Sequence, residues 1–343
     1  MRAVHVTAFT ARGNVAFVDD ARAPQLQPDS SDLLVRVLAC ALNPGDCRLL
    51  SGSVSLVMTP RAFPYVPGSD VCGVVVAIGT KCTHFKVGDR IVASLPPFVH
   101  GSFADLVLVD ANLAAMAPSV CSALEAASLP VAGCTALQAI KDARIGPGSR
   151  VLVIGGSGGV GTLVIQLAKL KGAAFVATTS TNAALVKSLG ADLVIDYRHA
   201  NWWDALQQQQ EALLDVVIDC VGDAASWQHC DRRVVHKNGR YIAVVDSPNT
   251  EVRTIWDLLA FLGPMLWRSL NPFTTSYKMV SSFPQGKHVQ ELVDLVTANP
   301  EKLRAVLDPA SPFAFTLEGV TQAVALQNSH RAKGKLVFEV NSE

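Results

Sequence analysis

Ile154-Gly155-Gly156-Ser157-Gly158-Gly159-Val160-Gly161 is the stretch on which the reading of this chain turns. It carries Gly-x-Gly-x-x-Gly at positions 156, 158 and 161. Alone, such a pattern is common. Here the apolar run Val151-Leu152-Val153-Ile154 precedes it and reads as a strand, while Val160, Leu163, Val164, Leu167 and Ala168 follow at helical spacing. Lys169 and Lys171 suit the end of that helix, and Gly172 the position just beyond it. Strand, glycine turn and helix in this order make a phosphate cradle. The first glycine permits the tight turn, the second lets backbone approach a pyrophosphate, and the third lets helix and strand pack closely. The phosphates then meet free N–H groups at a helix N-terminus. Gly156, Ser157, Gly158, Gly159, Val160 and Gly161 are therefore expected to hold a dinucleotide.

The pattern continues outward. Phe175-Val176-Ala177, Leu193-Val194-Ile195, Val216-Val217-Ile218 and Tyr241-Ile242-Ala243-Val244-Val245 read as further strands with helices between them, one at 183–189. This alternation builds a parallel sheet covered on both faces. A dinucleotide site selective for a free ribose 2′-hydroxyl places an acid about 20 residues after the glycines. Here the second strand ends Ala177-Thr178-Thr179-Ser180-Thr181, with no acid. Small hydroxyl residues leave room for a 2′-phosphate, so NADPH is expected over NADH, with Thr179, Ser180, Lys187, Tyr197 or Arg198 near that phosphate and Val221 also at the cofactor. Gly155-x-Ser157-x-Gly159 also fits the nucleophile elbow of serine hydrolases, with Asp219 or Asp246 and His288 or His330 following in suitable order. Gly161 and the small residues after the second strand have no role in that reading, which is set aside.

Before about Ser122 the texture differs. Leu33-Leu34-Val35-Arg36-Val37, Gly73-Val74-Val75-Val76-Ala77-Ile78, Arg90-Ile91-Val92-Ala93 and Leu106-Val107-Leu108-Val109 are short β-branched runs punctuated by Gly, Pro and Asp, as in a barrel or sandwich. After about 280 come a helix at 288–298 and a last strand, Lys335-Leu336-Val337-Phe338. The only low-complexity run is 207–210, four glutamines. With 343 residues and 50% apolar composition, two domains with large cores are expected. Lys plus Arg and Asp plus Glu are equal at 29, which gives no field to hold nucleic acid. The eight cysteines are scattered, with no Cys-x-x-Cys pair, and read as buried, reduced thiols. The eight histidines include no close pair that would mark a metal site. The chain enters the strand-like Ala3-Val4-His5-Val6 without an apolar signal core or an Arg/Ser-rich leader, so the cytoplasm is the expected compartment. The apolar stretch 255–267 is interrupted by Asp257 and Pro264 and is short of the ~20 residues of a spanning helix. It is read as a buried helix or the wall of a substrate pocket, which favours a greasy acceptor.

Across its length the chain resembles the medium-chain dehydrogenase/reductase superfamily, in its zinc-free quinone oxidoreductase branch. The resemblance is carried by Asn43-Pro44-Gly45-Asp46 with Gly52 and by Pro67-Gly68-Ser69-Asp70 running into the following valine-rich strand. Val87-Gly88-Asp89-Arg90, Gly101-Ser102-Phe103-Ala104-Asp105, Ala132-Gly133-Cys134-Thr135-Ala136, the glycine cluster, Leu189-Gly190-Ala191-Asp192 and Gly334-Lys335 extend it. Within the branch, Val194-Ile195-Asp196-Tyr197 and the insert 258–278 are most similar to the reticulon-interacting mitochondrial NAD(P)H oxidoreductase type, which makes the mitochondrion the second compartment to consider. The resemblance implies an α/β chain with a GroES-like catalytic domain at 1–122 and 276–343 around a doubly wound Rossmann domain at 123–275. It implies a dinucleotide in the cleft, and commonly a homodimer. Zinc-dependent relatives present Cys where Asn43 stands and His where Ser69 stands, so no metal is expected. Asn43 is expected near the nicotinamide, where its amide would donate to the acceptor oxygen, with Thr135 supporting the cofactor. The branch often has Tyr five residues after its Asn, and here that residue is Arg48. The expected activity is NADPH-dependent reduction of quinones or α,β-unsaturated carbonyls. A trans-acting enoyl reductase and a non-catalytic NADPH-binding or structural protein are the alternatives.

Overall fold

Six strands in the middle of the chain all run the same way. The computed structural model describes every residue except 10–13, 61, 98, 209–212, 223, 232, 246–250, 272–274, 281–284 and 343. Asp246 and part of the glutamine run, Gln209 and Gln210, lie outside the described residues. The chain divides into two units, one of 1–134, 283–300 and 305–343, the other of 135–282 and 301–304. The first change of unit falls inside the helix Pro130–Ala143, later than position 122, because the start of that helix is tied to the first unit by a bond from Val131 N to Asp70 Oδ1 (2.7 Å).

In the second unit the sheet runs Leu193–Ile195, Phe175–Thr179, Arg150–Ile154, Leu214–Asp219, Val235–Ala243, Ser276–Met279. Numbered along the chain, that is 3-2-1-4-5-6, with every pair parallel. This is the doubly wound dinucleotide-binding order, and its crevice opens where the order reverses, between strands 1 and 4. The central strand Arg150–Ile154 is apolar because both its faces are covered. The helix Gly159–Leu170 is covered more widely than a single apolar stripe requires, with Thr162 and Gln166 buried beside Leu163, Val164, Leu167 and Ala168. Val160 is only half-buried. Gly172 closes that helix at φ 88°, as its position suggested.

The apolar stretch 255–267 is a helix, Ile255–Leu270, but not a buried one: none of its residues is buried. A capping box starts it, Thr254 Oγ1 accepting from Asp257 N (3.2 Å) and Asp257 Oδ2 accepting from Thr254 N (2.8 Å). Apolar composition alone does not determine where a helix docks.

The first unit is antiparallel in the main. Its sheet runs Phe313–Ala314, Leu336–Glu339, Asp32–Leu42, Asp70–Ile78, Arg90–Ser94, Ala114–Met116, and Leu106–Asp110 pairs with the start of Asp32–Leu42. Leu33, Val35, Val71, Ile91, Phe103 and Phe338 are among the residues that fill its core. Register here places the chemistry. Leu336 lies opposite Leu42, and Ala41 opposite Asp70. The strand that follows Lys335, the end of the strand that leads into Asn43, and the start of the strand that opens with Asp70 therefore meet at one point. Six of the eight cysteines are buried, and burial pushes the Cys47 thiol up to about 12.

Candidate active site

In the first unit, Asn43-Pro44 opens a helix. Asn43 precedes the helix Pro44–Ser51, and its backbone N–H donates to Asp46 Oδ2 at 2.8 Å. The Asn43 side chain is 5% exposed, Asp46 1% and Asp70 0%. Asn43 Nδ2 donates to Asp70 Oδ2 (2.9 Å) and to Asp46 Oδ2 (3.2 Å). Its Oδ1 accepts from Lys335 Nζ (2.9 Å), and the same ammonium donates to Asp70 Oδ2 (2.8 Å) and Leu42 O (3.0 Å). Ser69 Oγ donates to Asp46 Oδ1 (2.7 Å), and Ser102 Oγ to the Asp70 carbonyl (2.7 Å).

An ammonium has three hydrogens and an amide two, so Lys335 and Asn43 are both fully engaged. The expected role of Asn43 as donor to an acceptor oxygen is not available in this arrangement. Its two N–H groups face carboxylates because two acids and one lysine buried together need every donor within reach. Burial pushes the Asp46 carboxyl up to about 6, although hydrogen bonds from Ser69 and Asn43 pull the other way. Lys335 and Asp70, quoted above only as parts of motifs, are thus the charged centre of this site. Sequence spacing hides them, since they lie 265 positions apart. Arg48 is half-buried, and burial lowers its pKa.

The donor set does not fit zinc. At the two positions where zinc-dependent relatives carry Cys and His stand Asn43, whose oxygen already faces an ammonium, and Ser69, whose hydroxyl donates to Asp46. Among the described residues no three of His, Cys, Asp and Glu are grouped to hold a metal ion.

In the second unit the glycine turn sits at the carboxyl edge of the sheet, where Ile154, Thr179, Asp219 and Ala243 lie in register. The glycines divide their work differently from the expectation. The left-handed conformation belongs to Gly155 (φ 79°), one residue ahead of the motif. Gly156 is needed for closeness instead: a Cβ there would lie 1.9 Å from Thr178 Oγ1. A Cβ on Gly161 would meet the Gly155 carbonyl oxygen at 2.2 Å, so helix and turn pack backbone to backbone as expected of the third glycine. Around Gly158 the space is open, with only the Gly155 carbonyl oxygen inside 4 Å at 3.5 Å. Gly158 also caps the helix without a side chain, so no capping side chain takes up the first-turn N–H groups of Gly159, Val160 and Gly161. This cradle fits a pyrophosphate.

Ser157 is half-buried in the turn. Thr179 and Ser180 are buried, and both hydroxyls accept from backbone, Thr179 Oγ1 from Gly155 N (2.9 Å) and Ser180 Oγ from Asn182 N (2.9 Å). They shape the turns at the strand end. Lys187 and Tyr197 are exposed, Tyr197 at 58%, and Arg198 is held by Asp196. Val221 follows the fourth strand and stands beside Gly155, across the reversal of strand order. Thr135 lies within the helix Pro130–Ala143 and is half-buried. Asp219, named above only in the hydrolase reading that was set aside, ends the fourth strand. It is buried, its Oδ1 accepts from Val221 N and Gly222 N, and its Oδ2 accepts from Tyr241 Oη at 2.6 Å.

Residues 29–119 match the model of the alcohol dehydrogenase GroES-like domain, and 189–338 match that of the zinc-binding dehydrogenases. The chain is 32% identical to the chloroplastic quinone-oxidoreductase QR1 of Triphysaria versicolor, over 99% of this chain and 98% of that one. It is 32% identical to the chloroplastic NADPH-dependent alkenal/one oxidoreductase of Arabidopsis thaliana, over 92% and 73%. Against the mitochondrial NAD(P)H oxidoreductase RTN4IP1 of Homo sapiens the identity is 29%, over 90% and 82%.

Proposed function

Because the chain belongs to the medium-chain dehydrogenase/reductase superfamily and, within it, to the quinone oxidoreductases, we propose that it reduces quinones or α,β-unsaturated carbonyls with NADPH and without zinc. The observation that carries this reading is the Lys335 ammonium, held by Leu42 O, Asp70 and Asn43, one of the two positions at which the family resemblance puts a zinc ligand in metal-dependent relatives.

Bound NADPH supplies the hydride. The glycine turn and the first turn of Gly159–Leu170 hold its pyrophosphate. Val221 and Ser157 flank it, and Thr135 is a further contact. Lys187 and Tyr197, both exposed, are the groups for a 2′-phosphate, with no acid at the end of Phe175–Thr179 to repel it. Asn43 is a positioning residue: held by Asp46, Asp70 and Lys335, it fixes the backbone at the end of Asp32–Leu42. A carbonyl acceptor gains negative charge on its oxygen as hydride arrives, and preorganised dipoles stabilise that charge. Water provides the final proton. The reading takes the protein as a homodimer working in the cytoplasm or the mitochondrion.

The test is loss of reduced-nicotinamide absorbance with NADPH or NADH against a panel of quinones, enones and aldehydes. Turnover of NADPH with quinones or enones, faster than of NADH, is the expected result. Turnover confined to carrier-bound acyl substrates would replace the reading with an enoyl reductase, and tight NADPH binding without turnover would replace it with a binding protein.

A further inference from the structure

The helix Ile255–Leu270 is amphipathic the wrong way round for a water-facing helix. A surface helix ordinarily turns its charges outward and its apolar stripe inward. Here the two charged residues, Asp257 and Arg268, are half-buried. The Arg268 guanidinium lies 5.6 Å from the centre of the Tyr277 ring and 5.9 Å from that of Trp227, and Met265 packs against the core of the second unit. The outward face carries Ile255, Trp256, Leu259, Leu266, Trp267 and Leu270, each more than half exposed, and Trp256 (75%), Trp267 (71%) and Leu270 (76%) most of all. Ala260, Gly263 and Pro264 lie exposed between them. A contiguous apolar face of this kind marks a surface that meets something other than water.

We infer that this face docks on a lipid bilayer, lying in the interface with its side chains among the upper acyl chains. Three observations select lipid over a second copy of the chain. A helix of 16 residues is about 24 Å long, and one face about 10 Å wide offers roughly 240 Å². Two such faces would bury about 500 Å² together, well under the ~1,200 Å² of a stable protein interface. An apolar helix in a bilayer surface has no such threshold, since binding scales with the apolar area inserted. The tryptophans stand near the two ends of the helix, about 16 Å apart along its axis, and indole prefers the boundary between headgroups and acyl chains. The face carries no charge and the chain as a whole is balanced, so insertion needs no anionic lipid. The helix lies on the bilayer and does not cross it, as no described helix is long and apolar enough to do so. Docking would bring the protein to quinones dissolved in lipid. That consequence rests on the proposed function; the docking does not.

The experiment is flotation of the purified full chain with phosphatidylcholine vesicles at low and high salt, with tryptophan emission recorded. Of the five tryptophans, Trp202 is buried and Trp203 and Trp227 are partly buried, so a blue shift reports on Trp256 and Trp267. Wild type is expected to float at both salt concentrations with a blue-shifted emission. The variant carrying Trp256→Ser, Trp267→Ser and Leu270→Ser is expected to partition about a hundredfold less while its Tm and NADPH affinity stay unchanged. Equal flotation of the two proteins overturns the inference, and so does flotation only with anionic vesicles that salt reverses. A wild type that ignores vesicles but forms a dimer the triple variant lacks overturns it too, because the face then joins copies. None of these outcomes depends on turnover, so failure of the docking and failure of the proposed reaction are told apart.

Discussion

The two sites are built on opposite principles. The hub of the first unit is a place where side chains cancel one another: one ammonium, two carboxylates, one amide and two hydroxyls, closed by hydrogen bonds of 2.7–3.2 Å. The glycine turn of the second unit is a place where side chains are missing, with open space beside Gly158 and no side chain capping the helix. The first is specified by partners and the second by room. A hub tolerates no loss of a member, because each buried charge depends on the others. A cradle tolerates no gain, because any added atom takes the space of the ligand or of the packed backbone.

That contrast can be broken most severely at Lys335. Lys335→Met leaves Asp70 buried with its charge uncompensated and is expected to cost about 3–5 kcal/mol of stability in urea unfolding. A cost below about 1 kcal/mol would mean that the hub is not held by charge. Next is the pH dependence of Asp46. Its carboxyl titrates at about 6 when folded against an ordinary 3.8, so the folded chain keeps a proton that the unfolded chain releases. This contribution is fully present below about pH 4 and lost as pH rises through about 6. At about 1.4 kcal/mol per pH unit it amounts to about 3 kcal/mol. Asp46→Asn should flatten the fall of urea midpoint across that window, and parallel curves for the two proteins would remove the assignment.

Smaller effects sharpen the other half. Gly161→Ala drives a methyl into the Gly155 carbonyl and should cost about 1–3 kcal/mol while weakening NADPH binding. Gly158→Ala meets open space, so it should change stability by less than about 1 kcal/mol while raising the Kd for NADPH about tenfold. If calorimetry finds the affinity of Gly158→Ala unchanged, the open space beside the turn is not where the pyrophosphate lies.

How much of this was legible beforehand follows the range of the forces involved. The parallel sheet covered on both faces could be read because each strand–turn–helix step is local. Apolar periodicity, a glycine turn and a capping residue lie within about 20 positions of one another, and the alternation leaves few topologies. Gly161 was read correctly for the same reason, whereas the tight turn was assigned to Gly156 instead of Gly155 because left-handed backbone depends on which neighbour needs the space. The insert helix was recognised as apolar but read as a buried helix or the wall of a substrate pocket, since periodicity reports that a helix has an apolar face and not which side another element covers.

From the sequence alone came the parallel domain and the dinucleotide cradle, both properties of residues near one another along the chain, while the family resemblance marked Asn43 and Ser69 as the positions where zinc ligands would stand. Only the tertiary structure decided that Asn43 has no hydrogen to give, that Lys335 and Asp70 are the charged centre, and that Ile255–Leu270 turns its tryptophans outward. Those depend on strand register and on which faces are covered. Register brings Lys335 to Asp70 through a sheet that pairs Leu336 with Leu42 and Asp70 with Ala41, and pairing over such separations is set by the burial of whole faces and not by any local run of residues.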